Sequence, residues 1–529
     1  MEEKEDILRG MFAKIPRHIK WCLISGVLSG ILIHAYMLTN KLPNWDDINN
    51  VGGFAVGSEF GRWFLKYVHH LDGIWSVPWL SGLFAIGMIS VAACMVLSAL
   101  GLRSITSAVL VPLMMLSFPS MCSLFTFMFT ADCYAVGILL ACTAAWLIRR
   151  YRYGFVPGIV LLVLGMGIYQ AYLCLALGIL VCGLFLDMLP EEAEAGKIFR
   201  KGAATFLILL ASVIVYTLVS RAIFPELESY NGLNNMGKID PARLPRLILR
   251  AYKYVAQYFL LSPYSYVTGF AGVLNGLCCL LAAGYVIAYF VKNKRWRNPW
   301  GAVLYLFLAA AIPLSLGSII IMAPDASVSL LMLYQYQLLY VFVAAMLEKS
   351  LEQEEGLWGR AGRKRLGRAV GIVIVGTLLL VGYENFVVIN QAYFRMGIAY
   401  ERSYAWYNRV MERIEATEGY RPGDPFALIG EYGLSETPDL LGSYSMDGER
   451  FDDLSGVARE TGMLTSGVRH NFMRTYIGVE MPEVTKETQE AIRASEEYRS
   501  MPAYPADGCV KQIEGVWVVK TCEESITAP

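Results

Sequence analysis

Residues 74–97 read IWSVPWLSGLFAIGMISVAACMVL, without one Asp, Glu, Lys, Arg or His. A helix of about 20 such residues covers the hydrocarbon core of a bilayer. It also lacks the polar face that a helix on a water-soluble domain keeps. The stretch therefore reads as a membrane span. Working outward from it, comparable apolar runs occur at Trp21–Leu38, Ile105–Phe118, Ala131–Leu147, Phe155–Ile168, Ala171–Leu189, Ala203–Phe224, Tyr264–Val291, Trp300–Met322, Val328–Leu347 and Ala369–Val388. The expected fold is an all-α polytopic membrane protein of about eleven transmembrane helices. The third and fifth runs are short, and the fifth and sixth can also be read as one broken segment. Composition agrees: 56% of the 529 residues are hydrophobic and 17% are charged, below the roughly 25% charged of soluble domains.

The basic residues orient the chain. Lys4, Arg9, Lys14, Arg17 and Lys20 precede the first span, and further clusters fall at Arg103, Arg149–Arg152, Lys197–Lys201, Lys292–Arg297 and Lys349–Arg368. The short intervening connections near Thr130, Gln170 and Asp325 carry no Lys or Arg. By the positive-inside rule the N-terminus is expected in the cytoplasm, and the region after Val388 outside. The first apolar run lacks a small-residue cleavage pattern and reads as a retained span rather than a signal peptide. Net charge is zero, and nothing in the pattern points to nucleic acid.

Two domains are expected: residues 1–390 in the membrane and an α+β extracytoplasmic domain over residues 391–529. In the latter, Ala392–Thr417 reads as helix, Pro425–Ile429 as a strand, and Val510–Ile513 with Val516–Val519 as a hairpin around Glu514-Gly515. Cys509 and Cys522 bracket that hairpin, and an oxidising exterior favours their pairing. A two-residue turn, however, places Cys509 opposite Lys520, so a bridge requires the hairpin end to bend. Nine other cysteines lie in or beside apolar runs, where a small buried hydrophobe is the ordinary role. No His/Cys spacing reads as a metal site.

Carboxylates at a membrane are informative because burying them is costly. Asp46 and Asp47 lie in Leu42-Pro-Asn-Trp-Asp-Asp-Ile-Asn-Asn, just after the first span. One can serve as a general base while the other orients a group or binds a cation. A solvated turn or helix cap is the ordinary alternative. Asp132 stands at the outer mouth of the fourth span, where capping a helix is the simpler role. Arg62, Tyr169, Gln170, Arg221, Gln335 and Gln337 add polar groups on the same side. An Arg can hold a phosphate at two points; snorkelling and interhelical hydrogen bonding are the alternatives. In the second outer loop, Arg243, Arg246, Arg250 and Lys253 alternate at helical spacing with Leu244, Leu247, Ile248, Ala251 and Val255. That pattern predicts an amphipathic surface helix, acting as an anchor or as a holder of lipid phosphate. No charge falls in the middle of a span, which speaks against a transport path and for chemistry at one face.

These residues together resemble a family. Asp46-Asp47-Ile48, Gly61-Arg62, the Asp132 segment and Tyr169-Gln170-Ala171-Tyr172 are similar in order and sidedness to the GtrII-type bacterial glucosyltransferases, membrane glycosyltransferases of the GT-C class. The likeness covers roughly the first 390 residues in layout, its sharp motifs the first 175, and does not extend to the C-terminal region. It implies an inverting enzyme of the bacterial cytoplasmic membrane. The donor would be a sugar, typically glucose, on a polyprenyl-phosphate carrier, and the acceptor a hydroxyl of a cell-surface glycan. It also implies Asp46 or Asp47 as base and Asp132 as a second acidic site residue. Arg62, Arg221 and the basic surface helix are candidates to meet the leaving phosphate. A divalent metal is an open question in such enzymes, and no other cofactor is implied. A lipid-linked sugar flippase, a glycan polymerase or ligase, and an assembly protein are the rival readings.

Overall fold

The structure, a computed structural model, describes residues 13–52, 60–69, 73, 75–224, 240–261, 264–352, 357, 364–430, 451–457, 460–482 and 484–522. Lys4 and Arg9 of the first basic cluster, and the parts of the two long outer loops at 53–59 and 225–239, lie outside them.

Two compact units emerge. The first comprises Met1–Thr39, Phe54–Gln391 and Asp452–Ser455. The second comprises Asn40–Gly53, Ala392–Phe451 and Gly456–Pro529. The acidic segment after the first span thus clusters with the C-terminal region and not with the helices that flank it in sequence.

The first unit is helical, and the apolar runs expected from the sequence coincide with helix. Among the described residues, eight helices, including Arg17–Thr39, Pro78–Ala99, Ala195–Ile223 and Gly269–Lys292, are individually long and apolar enough to cross a membrane. A ninth crossing forms if Ile105–Ser117 and Pro119–Thr126, bent by 50° at their junction, act as one span. Phe155–Ile168 and Tyr172–Asp187 are shorter apolar helices, interrupted at Tyr169-Gln170-Ala171.

The bend has a local cause and a local remedy. Pro119 has no N–H to give the carbonyl of Met115, four residues back. The Tyr334 hydroxyl donates to that carbonyl at 3.0 Å. The next carbonyl, Leu116, pairs with Nε2 of His34 at 3.0 Å, and the His34 ring stacks on Phe125. Ser120 donates to the carbonyl of Leu330 at 2.6 Å. In a hydrocarbon setting an unpaired carbonyl costs several kcal/mol, so these side chains make the break tolerable.

In the second unit, Phe426–Ile429 (β1), Val510–Ile513 (β2) and Val516–Lys520 (β3) form a sheet of order β1-β3-β2. β1 pairs parallel with β3, and β2 antiparallel with it. Glu514 and Gly515 both have positive φ, 51° and 79°, as a two-residue turn between twisted strands demands. Ala427, Ile429, Ile513, Val516 and Val518 from the sheet bury against Ile492, Tyr498 and Met501.

One expectation is overturned here. Cys509 and Cys522 are not bridged; all eleven cysteines are free thiols. The register is the reason: Cys509 faces Lys520, whose N–H donates to the Cys509 carbonyl at 3.1 Å. Cys522 instead lies close enough to Gly430 that a Cβ there would approach its sulfur to 2.9 Å. Burial also pushes the Cys509 thiol above its ordinary pKa, which lowers the thiolate fraction that exchange requires. Thiol titration of the denatured, unreduced protein should therefore count all eleven cysteines; two fewer would reveal a disulfide.

Candidate functional site

Around Arg62 the chain between the first and second spans is fastened to the break at Tyr169-Gln170-Ala171. Gln170 donates through Nε2 to the carbonyl of Phe60 at 2.8 Å and to the Tyr216 hydroxyl at 3.0 Å. Tyr216 donates in turn to the carbonyl of Gly61 at 2.9 Å. The N–H of Phe64 donates to the carbonyl of Gly167 at 2.8 Å, and Trp63 Nε1 donates to Ser220 Oγ at 3.1 Å. Two glycines permit this closeness. Gly61 has φ 84°, and a Cβ there would meet Tyr216 Oη at 2.6 Å and Gln170 Nε2 at 2.9 Å. A Cβ on Gly167 would approach Phe64 Cβ to 2.9 Å.

The strap delivers Arg62 to an aromatic bed. Its guanidinium lies 5.0 Å from the centroid of the Tyr169 ring, and Nη1 donates to the Tyr134 hydroxyl at 3.4 Å. Tyr134 and Tyr169 are themselves in ring contact at 5.2 Å, and Tyr169 and Tyr172 at 5.4 Å. Arg62 is half-buried, its guanidinium positioned by aromatic rings. A guanidinium held in this way suits an anion better than a mobile, fully hydrated side chain does.

Asp132 occupies the first turn of the Ala131–Arg150 helix and is fully buried. Thr130 is the cap residue and makes no side-chain cap bond, so capping is not the arrangement found, although the helix dipole still favours a carboxylate there. Asp132 and Tyr134 are two residues apart, about 200° around the helix, so the helix does not present them on one face.

The acidic pair belongs to the second unit. Asn44 caps the short helix Trp45–Asn49, its Oδ1 accepting from the N–H groups of Asp46 and Asp47, both at 2.9 Å. The two carboxylates differ: Asp46 is half-buried, Asp47 fully buried. This helix packs on Ser466–Phe472 and Glu460–Met463. Asn471 Nδ2 donates to Asn49 Oδ1 at 2.8 Å, and Gly462 admits the Trp45 ring, 3.1 Å from where a Cβ would stand. Two further groups sense Asp47. Burial pushes the Lys41 ammonium below the usual lysine range, against the opposing pull of Asp47. Burial raises the Tyr476 phenol, and the Asp47 charge raises it further.

The remaining candidates are dispersed. Arg221 is exposed on the last turn of the Ala195–Ile223 helix. The predicted amphipathic helix forms at Leu244–Ala256, but its apolar face lies on protein: Leu247, Ala251 and Val255 are buried, and the helix packs against Ser318–Met322 and Pro299–Leu316. Arg243 pairs with Asp325 at 2.9 Å, Arg250 donates to the Pro324 carbonyl at 3.0 Å, and Arg246 is exposed. Gln335 donates through Nε2 to the Leu316 carbonyl at 3.0 Å, where a helix ends. Gln337 is fully buried, with no hydrogen-bond partner among the described residues. Among those residues, no three His, Cys, Asp or Glu side chains gather as a metal-binding group.

A family model for the GtrII glucosyl transferases matches residues 35–345, more than half of the chain. The protein belongs to the GtrII glucosyl transferase family. Every candidate residue from Asp46 to Gln337 falls within the matched stretch, while most of the second unit falls beyond it. No curated protein and no solved structure matches the chain.

Sequence reading missed the residues that aim the candidates. Tyr134, Gly167, Tyr216 and Ser220 fix Arg62 but look like ordinary span residues. Asn44 before Trp45-Asp46-Asp47 is a legible cap signal; Asn471 and Tyr476 lie more than 400 residues away in the chain and carry none.

The strap can be tested at its tightest point. Gly61→Ala should cost about 1–2 kcal/mol for a Cβ at positive φ and should reduce glucosyl transfer by displacing Gln170 and Tyr216. Tyr216→Phe, which removes the hydroxyl's bonds to the Gly61 carbonyl and to Gln170, should cost about 1–3 kcal/mol. A Gly61→Ala protein with unchanged melting and full transfer would show that the strap does not position the site.

Proposed function

We propose that this protein transfers glucose from a polyprenyl-phosphate carrier to a hydroxyl of a cell-surface glycan, at the outer face of a bacterial cytoplasmic membrane. The observation that carries the reading is Arg62, held half-buried against Tyr134 and Tyr169 beside a break in the apolar helices. That is a cation prepared for an anion at membrane depth, and a polyprenyl phosphate brings its phosphate there on an isoprenoid tail. Family membership supplies the sugar and the reaction class.

The chemistry follows from the bonds exchanged. The acceptor hydroxyl loses a proton as its oxygen attacks the anomeric carbon, and the bond from that carbon to the carrier phosphate breaks. A carboxylate takes the proton; we assign that role to Asp46 or Asp47. The departing polyprenyl phosphate gains negative charge, which a positioned guanidinium stabilises; we assign that to Arg62. Asp132 is assigned to positioning the reacting groups. A single displacement inverts the anomeric centre. About eleven crossings, a GT-C arrangement, a cytoplasmic N-terminus and an external C-terminal domain complete the proposal.

Cells carrying wild type, a deletion, Asp46→Asn or Asp47→Asn at equal membrane abundance should differ in surface-glycan composition. The deletion and at least one Asn variant should lose one glucose branch. A complete glycan in both Asn variants, with the deletion defective, would contradict the catalytic assignment.

A further inference from the structure

The Ala131–Arg150 helix carries charged residues at both of its ends. Asp132 opens it and Arg149-Arg150 close it, so the two ends are separated by about 25 Å of helix at 1.5 Å per residue. At the closing end a cavity of about 490 Å³ opens between the ends of the Pro78–Ala99, Ala131–Arg150, Tyr172–Asp187 and Ala195–Ile223 helices. Arg149, Arg150, Lys197, Lys201 and Lys349 line it, with Asp187 and Glu194 as its carboxylates.

The positive-inside rule explains basic residues at this level of a membrane protein. It does not explain how they are built in. Arg149 is only 14% exposed. Its Nε donates to the Ala99 carbonyl at 2.7 Å and its Nη2 to Asp187 at 2.9 Å. Gly183 makes room for it, since a Cβ there would stand 2.2 Å from the guanidinium carbon. Asp187 also receives Lys201 at 3.2 Å, so one carboxylate is shared by two cations. Lys197 pairs with Glu194 and Lys349 with Glu352. The Arg150 side chain is exposed and has no hydrogen-bond or ion-pair partner among the described residues. After these pairings the wall keeps a surplus of positive charge.

The level of the cavity points to its occupant. Tyr151 and Tyr153, which directly follow Arg150 of the cavity wall, are both more than 50% exposed. Amphipathic aromatics of this kind mark the head-group region of a bilayer. At roughly 30 Å³ per water, the space admits a group much larger than a bare ion. We propose that this cavity binds the phosphate head group of an anionic phospholipid, at the opposite end of the helical unit from Arg62. Arg150, Lys201 and the remaining N–H groups of Arg149 meet the phosphate, while Asp187 keeps Arg149 and Lys201 in place.

The test uses the purified full-length chain and native mass spectrometry with added phosphatidylglycerol, phosphatidylcholine or inorganic phosphate. Wild type should bind phosphatidylglycerol in preference to phosphatidylcholine. Arg150→Gln and Arg150→Gln/Lys201→Gln remove exposed side chains and should melt like wild type. The double variant should bind phosphatidylglycerol at least about tenfold more weakly, since it removes two charge-assisted hydrogen bonds to the phosphate. Arg150→Lys should retain most of the affinity. Equal phosphatidylglycerol binding by wild type and the double variant would overturn the proposal. So would binding of inorganic phosphate that excludes phosphatidylglycerol, because the site would then serve a soluble anion.

Discussion

A bilayer offers its occupants no hydrogen bonds, and the helical unit is organised around that deficit. Each backbone N–H and C=O at membrane depth needs an internal partner. Helices provide it wherever they run unbroken, so polar side chains collect at the interruptions. Tyr334 and His34 serve the carbonyls of Met115 and Leu116, left short at Pro119. Gln335 serves Leu316 at the end of its helix. Gln170, beside the break at Tyr169-Gln170-Ala171, fastens the Phe60–Gly61 backbone. A polar residue in an apolar run is thus first a repair to the backbone.

At Arg62 a repair of the backbone also positions a charged side chain. The same Gln170 that secures the strap presents Arg62 next to Tyr169, so the break between two helices also fixes a cation in an aromatic setting. Exposed arginines such as Arg221 and Arg246 lack that preorganisation, and those of the basic surface helix are partly committed to Asp325 and Pro324. In the second unit the acidic pair receives comparable care. Asn44 caps its helix, and side chains from the C-terminal region enclose it, so the segment after the first span is completed by residues at the far end of the sequence.

Much of this was legible in the sequence. Uninterrupted apolar runs such as Ile74–Leu97 announce helices because no alternative structure survives in lipid, and Glu514-Gly515 announces its hairpin because only that turn chemistry fits. Arg62, Tyr169 and Gln170 were legible as a group through their order in the chain. What stayed hidden depended on contacts between distant segments. The pairing of Asn49 with Asn471 leaves no periodicity to read, and neither does Tyr216 beneath Gly61. The disulfide expectation failed because compartment argued for it while strand register, which puts Lys520 opposite Cys509, argued more strongly against it. The amphipathic helix was correctly placed, but periodicity shows only that an apolar face is buried, not whether lipid or protein covers it.

The central claim is that a lipid-linked phosphate, met by Arg62, carries the glucose. The most direct measurement reconstitutes the purified chain in proteoliposomes with glycan from a deletion strain and offers radiolabelled glucose on either polyprenyl phosphate or uridine diphosphate. The account predicts labelled glycan from the polyprenyl-phosphate donor alone, and its loss in Arg62→Gln. Labelling from the nucleotide donor, or full transfer by Arg62→Gln, would contradict it.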